Sequence, residues 1–180
     1  MRIIAGLAKG HTIKAPKGQS TRPTLDRVRE SVFNVLSNWG LYKVSVLDLF
    51  SGTGAFALEA LSRGASQAIS VDKRTKKLIK ENAIHCHLED KIDILSMMIP
   101  QVGAKLAEQT FDYIFSDPPY EKGLIQETIQ MVDTYHLLKP TGYLILERHE
   151  REEYSLPDTM ECIRTQSFGY TRVDYCRIRT

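Results

Sequence analysis

The chain has few cysteines, no long apolar run and almost no net charge. Its three cysteines, Cys86, Cys162 and Cys176, form no CxxC pair, so a disulfide scaffold is excluded. His85-Cys86-His87 places candidate ligands on neighbouring residues, which do not share a helix face. No second ligand pair follows at zinc-like spacing, and no metal is expected. No stretch approaches the about 18 apolar residues of a membrane helix. The start, Met1-Arg2-Ile3-Ile4-Ala5-Gly6, lacks the apolar region of a secretion signal. A reducing cytoplasm is therefore the expected location, with no membrane partner. Internal repeats and low-complexity tracts are also missing.

What is present is 180 residues, 42% hydrophobic and 26% charged, which suits one globular domain and a monomer. The formal net charge of +2 hides an asymmetry. Residues 1–29 hold seven basic groups (Arg2, Lys9, Lys14, Lys17, Arg22, Arg27 and Arg29) against one acid, Asp26. That segment is +6, and the remaining 17 basic and 21 acidic groups make residues 30–180 −4. A basic arm on an acidic body attracts phosphate backbones by counterion release. Arg2, Lys9, Lys14, Arg22, Arg27 and Arg29 are accordingly the candidate nucleic-acid contacts. A merely solvated, charged N-terminus is the plainer alternative.

Hydrophobic periodicity predicts two short strands, Arg2–Ala5 and His11–Lys14, then a polar loop over 17–23. Thr24 suits the N-cap of a helix running to about Asn38, with Val28, Val32, Val35, Leu36 and Trp39 on its apolar face. Strands and helices then alternate. Strands are expected at Val44–Leu49, Ala68–Val71, Ile92–Leu95, Phe111–Phe115 and Tyr143–Leu146. Helices are expected at Ala55–Arg63, Arg74–Cys86, around Val102–Glu108 and at Leu124–Tyr135. Two closing strands, Met160–Arg164 and Arg172–Ile178, flank Phe168-Gly169-Tyr170. Alternation followed by a hairpin implies a parallel α/β sheet with an antiparallel edge.

Val46-Leu47-Asp48-Leu49-Phe50-Ser51-Gly52-Thr53-Gly54 leaves a buried strand and opens a helix. Its glycines permit a sharp turn and close approach to a ligand. No Lys-Ser/Thr follows, so a phosphate-binding P-loop is excluded, and positions 57 and 58 are Ala and Leu, so the third dinucleotide glycine is missing. Asp48 can accept from an amine or a bound water. Asp72 ends the next strand 20 residues after Gly52, the usual distance to an acid that grips ribose hydroxyls. Asp72 equally suits the start of the helix after it. A nucleoside without pyrophosphate fits this pair, and S-adenosylmethionine is such a ligand.

Phe115-Ser116-Asp117-Pro118-Pro119-Tyr120 ends the fourth strand. Prolines keep their carbonyl acceptors and lose their donors. With Asp117 they form an acceptor-only nest, beside which Tyr120 offers a flat ring. Such a nest suits a planar group bearing NH₂: Asp117 and the Pro118 carbonyl each accept one hydrogen, and Tyr120 stacks. Accepting both hydrogens localises the amine lone pair for direct in-line methyl transfer, without metal or covalent intermediate. The base must first leave its stack. In a doubly wound sheet the first and fourth strands meet at the switch point, which predicts a shared ligand crevice.

These motifs, with Lys9-Gly10, Thr21-Arg22-Pro23-Thr24, Arg27-Val28-Arg29-Glu30, Phe33-Asn34 and Glu59-Ala60-Leu61-Ser62-Arg63-Gly64-Ala65, make the chain resemble class I S-adenosylmethionine-dependent methyltransferases. More closely it resembles the RsmD family of bacterial 16S rRNA guanine-N2 methyltransferases. The resemblance covers at least residues 1–148. It implies a doubly wound Rossmann-like sheet, mostly parallel, of order 3-2-1-4-5-7-6 with an antiparallel last strand. It also implies an RNA-binding extension over 1–40 and a methyltransferase domain over 41–180. Asp48, Phe50, Ser51, Gly52 and Gly54 would hold the methionine end of the cofactor and Asp72 its ribose, with Arg22 and Thr24 near cofactor and substrate. Asp117, Pro118, Pro119 and Tyr120 would hold the guanine amine. The implied partner is 16S rRNA or the small ribosomal subunit, and the cofactor product is S-adenosylhomocysteine. Relatives tend to end the third strand with an Asp-Ala pair at adenine. Ile94-Leu95-Ser96-Met97 has no acid there, which leaves Ser96 or backbone. The alternatives are a DNA N6-adenine or other base amino-methyltransferase, or a catalytically silent RNA-binding assembly module.

Overall fold

A computed structural model describes residues 1–16, 23–120 and 122–180. They form two compact units, Met1–Ser96 and Met97–Thr180.

The first unit carries helix α1 (Pro23–Trp39), strand β1 (Ser45–Leu49), α2 (Ala55–Ser62), β2 (Gln67–Val71), α3 (Lys76–His85), a 3-10 turn and β3 (Ile92–Leu95). Its strands run in the order β3-β2-β1, all parallel, with Leu47 opposite Ile69 and Ile69 opposite Asp93. All five β1 residues are buried, the polar Ser45 and Asp48 included, as befits a strand covered on both faces. Helix α1 buries the expected Val28, Val32, Val35 and Leu36 and exposes Arg27, Glu30 and Asn34; Phe33 joins the buried face, and Trp39 is only half-buried.

The two expected N-terminal strands reduce to one antiparallel bridge, Arg2 to Thr12. The physical reason is competition for backbone donors. The N–H groups of Ile4 and Ala5 go to the Glu59 carboxylate (2.8 and 3.1 Å), and those of Leu7 and Ala8 go to the Ser62 carbonyl and hydroxyl (2.8 and 2.9 Å). The segment is thus strapped to α2, and its own pairing is confined to the N–H groups of Ile3, Gly10 and Ile13, which donate to the carbonyls of His11, Ile3 and Met1. Gly6 makes the closest approach. It sits at φ +86°, and a Cβ there would lie 1.8 Å from the Ser62 carbonyl oxygen.

The second unit carries α4 (Ile99–Leu106), β4 (Phe111–Ser116), α5 (Leu124–Thr134), β5 (Leu138–His149), β6 (Met160–Phe168) and β7 (Thr171–Ile178). Its strand order is β4-β5-β7-β6; β4 and β5 are parallel, and β7 is antiparallel to both neighbours. These are the two runs of the expected order 3-2-1-4-5-7-6. Ile125, Ile129 and Val132 of α5 are buried as their spacing predicts. Strand β5 starts at Leu138, five residues ahead of the expected Tyr143, and takes in Pro140-Thr141-Gly142. Between the pairs Phe111–Leu138 and Tyr113–Tyr143, β5 advances five residues while β4 advances two, so the Pro-Thr-Gly stretch is absorbed as a bulge.

Candidate active site

The glycine turn of the first unit is tight because three of its residues are left-handed: Phe50 at φ +59°, Gly52 at +55° and Gly54 at +79°. For Phe50 that geometry costs about 1–2 kcal/mol. Gly54 caps α2, and a Cβ there would lie 2.9 Å from Cγ2 of Ile79. Ser51 pins the turn from both sides. Its hydroxyl donates to the Asp48 carbonyl (2.7 Å) and accepts from the Val71 N–H (3.2 Å), while its own N–H donates to the Val71 carbonyl (3.0 Å). Asp48 is buried, and its Oδ2 accepts the Ala57 N–H at the start of α2 (3.2 Å).

Asp72 takes the helix-start role its position suggests and also grips the glycine turn. Oδ1 accepts the N–H groups of Arg74 and Thr75 (2.8 and 3.0 Å), which holds them ahead of α3 and delays that helix from the expected Arg74 to Lys76. Oδ2 accepts the Gly52 N–H across 20 residues of sequence (3.1 Å). Three of about four carboxylate acceptor positions are thereby used, and one stays open for a hydroxyl. At Gly52 an added Cβ would meet only the Phe50 carbonyl oxygen, at 4.0 Å. A turn with open space at Gly52, flanked by two carboxylates, fits an adenosine with a charged amine. Ser96 is exposed and donates to the Lys73 carbonyl (3.3 Å).

Asn82, which sequence reasoning missed, is fully buried and ties this turn to the N-terminal strap. It donates to the carbonyls of Thr53 and Lys14 (2.9 and 3.1 Å) and accepts the Lys14 N–H (2.9 Å). Its signal is a lone amide in the buried stripe of α3. Arg22 lies outside the described residues, as does the Thr24 side chain. Of the other candidate nucleic-acid contacts, Arg2, Lys9 and Arg27 are exposed, and Lys14 is exposed beside Glu81 (3.6 Å). Arg29 is a correction. It is 2% exposed and donates to the Arg2 carbonyl (2.6 Å) and to Asp26 (3.2 Å), so it holds the strap and is not presented to a ligand. His11 lies edge-on to His85 and His87, with ring centroids 5.6 and 5.9 Å apart. No group of three or more His, Cys, Asp or Glu among the described residues could hold a metal ion.

In the second unit, Asp117-Pro118-Pro119-Tyr120 leaves the end of β4. Asp117 is half-buried, Pro118 buried, Pro119 exposed and Tyr120 41% exposed, so the nest opens on one side only. Burial holds the Asp117 carboxyl well above the usual carboxylate range. One step beyond the pair Ser116–Leu146, the parallel register sets Glu147 beside Asp117. Glu147 is buried, and its carboxyl is raised first by burial and then by the charge of Asp117. Sequence reasoning missed Glu147, although one acid ending Leu144-Ile145-Leu146 was the available signal. The Tyr120 hydroxyl lies 3.3 Å from that of Thr171, and its ring meets His149 edge-on with centroids 5.7 Å apart. The structure thus gathers Asp48, Phe50, Ser51, Gly52, Gly54 and Asp72 in the first unit. It gathers Asp117, Pro118, Pro119 and Tyr120 with Glu147 and His149 in the second.

The model of the family described as "Conserved hypothetical protein 95" matches residues 1–177. YlbH of Bacillus subtilis strain 168 is 35% identical over 180 residues, 96% of this chain and 96% of that one. Ribosomal RNA small subunit methyltransferase D of Escherichia coli strain K12 is 33% identical over 149 residues, 82% of this chain and 74% of that one. The solved structure of yhhF from Escherichia coli is similar at a TM-score of 0.88 and 25% identity, covering 99% of this chain and 97% of that one. With the strand order above, that likeness makes the fold the Rossmann-like class I methyltransferase fold.

Proposed function

The chain belongs to the family described as conserved hypothetical protein 95, a family of methyltransferases, and we propose that it methylates the exocyclic N2 amine of a guanine in 16S rRNA of the small ribosomal subunit. S-adenosylmethionine is the cofactor, and when bound it supplies an electrophilic sulfonium methyl group. Asp48, Phe50, Ser51, Gly52, Gly54 and Asp72 would hold it.

The observation that carries the reading is the acceptor-only end of β4, with a carboxyl whose proton affinity is raised. Asp117 and the Pro118 carbonyl accept the two amine hydrogens, and Tyr120 stacks on the base, a contact worth roughly 1–3 kcal/mol. Holding both hydrogens orients the nitrogen lone pair along the line of displacement, where orientation supplies much of the acceleration. The nitrogen sheds a proton as it gains the methyl group. Asp117, held above the usual carboxylate range, is suited to receive it near neutral pH. Residues 1–40 would approach RNA through Arg2, Lys9 and Arg27, with Lys14 at the margin. A ribosomal substrate also agrees with the cytoplasmic location expected.

The test is transfer of labelled methyl to small subunits lacking the mark, followed by nucleoside analysis. N2-methylguanosine is the expected product, and Asp117→Ala lowers the rate about 100-fold or more. Label appearing on adenine, or full activity of Asp117→Ala, would overturn the reading.

A further inference from the structure

Beyond the Asp117 nest, the second unit carries an aromatic array that the methyl-transfer chemistry does not need. His149, the last residue of β5, meets Tyr120 at an interplanar angle of 67°. Its ring is stacked on Tyr170 at 12°, with centroids 5.9 Å apart. Tyr170 occupies the turn between β6 and β7 and is 69% exposed, so one face rests on His149 and the other meets solvent.

The array is held in place rather than loosely displayed. His149 Nδ1 accepts the Arg151 N–H (3.2 Å), which orients the ring. The Tyr170 carbonyl accepts the Glu150 N–H (2.7 Å). Arg172 donates to the Gly169 and Thr171 carbonyls (2.6 and 3.1 Å) and to the Glu150 carboxylate (2.6 Å), latching the turn to the segment after β5. Arg148 donates to the carbonyls of His149, Glu150 and Glu152 and anchors that segment on the buried Asp174. An exposed tyrosine on a backbone this constrained buries little surface and gains nothing for the core. Its free face is preorganised for a flat partner.

The surface chemistry selects the kind of partner. Glu150 is neutralised by Arg172, and the exposed face of Tyr170 is an uncharged ring. Such a face suits the flat face of a base rather than a phosphate. We propose that Tyr170 and His149 form a stacking platform, continuous with Tyr120, for the nucleobase of single-stranded RNA next to the base whose amine enters the Asp117 nest. The inference rests on the RNA-methylation reading. A base removed from its stack leaves a neighbour with an exposed face, and the platform takes that face.

The probe is small ribosomal subunits lacking the mark, used for equilibrium binding without cofactor and for methyl transfer. Tyr170→Ala should weaken binding and raise KM by roughly 5- to 150-fold, the range for loss of one base–aromatic stack, with a smaller change in kcat. Tyr170→Trp should restore binding, and the slope of log Kd against log salt should stay at the wild-type value, because no phosphate contact is lost. Binding within twofold of wild type for Tyr170→Ala would overturn the platform. So would a changed salt slope, or a Tyr170→Trp variant as weak as Tyr170→Ala, which would mark a shape contact with a ribosomal protein. If the wild-type chain transfers nothing to subunit RNA, the functional reading fails and takes the platform with it. Transfer that proceeds with Tyr170→Ala unimpaired sinks the platform alone.

Discussion

Glu59→Ala should release the N-terminal strap. Glu59 is 0% exposed, and each of its oxygens is engaged. Oε2 accepts the Ile4 N–H (2.8 Å); Oε1 accepts the Ala5 N–H (3.1 Å) and the Arg63 Nε–H (2.7 Å). Its charge also acts on the buried Arg29. Truncation therefore orphans two backbone donors and removes the counter-charge of two guanidinium groups. Breaking a buried ion pair costs about 3–5 kcal/mol, and an orphaned backbone donor about 1–3 kcal/mol. These costs do not add, because a released strap can return its donors to water. About 3–5 kcal/mol is the expected total, or a fall in Tm of about 6–20 °C for a chain of this size. Glu59→Gln keeps one acceptor and the side-chain shape, so it should fall between. The assay is urea denaturation together with a trypsin time course, because detachment exposes Arg2, Lys9 and Lys14 to cleavage. An unfolding midpoint shifted by less than about 1 kcal/mol, with no faster cleavage at those sites, would show that the strap is held by something other than Glu59.

Two further outcomes follow from the titrating groups. The Asp117 and Glu147 carboxyls are raised by burial, and Glu147 further by Asp117, so their contribution to stability is complete below the unfolded carboxylate range and is lost as pH rises through the folded values. Glu147→Gln removes one of these titrations, so its stability relative to wild type should improve from about pH 5 to about pH 9; urea midpoints that keep a constant offset would refute the assignment. The Cys162 thiol is exposed and pushed down to about 6, chiefly by its hydrogen bond with Cys176, whereas burial raises Cys86, and Cys176 is raised first by that same hydrogen bond and then by burial. Iodoacetamide at neutral pH should therefore alkylate Cys162 first, as read by peptide mass spectrometry, and equal rates at all three cysteines would contradict it.

The elements set by local periodicity were legible from sequence. Strand β3 begins and ends at the expected Ile92 and Leu95, and α5 buries Ile125, Ile129 and Val132 on one stripe. The failures arise where one side chain redirects distant backbone. Nothing near Ile4 indicates that its N–H is taken by a carboxylate 55 residues away, so the N-terminal hairpin pairs over a shorter stretch than its periodicity predicts. Asp72 shortens α3 by taking the donors of its first residues, and the Pro140-Thr141-Gly142 bulge shows that a turn signal can be absorbed by a long strand. In the site, the residues with a motif of their own, from Asp48 to Gly54 and from Asp117 to Tyr120, were legible. Glu147, Asn82 and His149 were not, because strand register, helix packing and a ring contact brought them there.

The N-terminal charge changes meaning once each cation is placed. A +6 segment resembles a free arm, and a free arm would present every charge to RNA. Arg29 instead turns inward to the Arg2 carbonyl and Asp26, and Lys14 sits beside Glu81 while its backbone is gripped by Asn82. Asn82 also holds Thr53, so the strap and the glycine turn share one fully buried amide. Held this way, Arg2, Lys9 and Arg27 project from a fixed surface. A fixed surface loses less conformational entropy on binding a phosphate backbone than a loose arm does. Docking then accounts for Gly6, Glu59 and Ser62, whose contacts turn inward, while Arg2 keeps its side chain outward. Glu59 supplies two acceptors and Ser62 two more and a donor, and position 6 admits only a residue without Cβ.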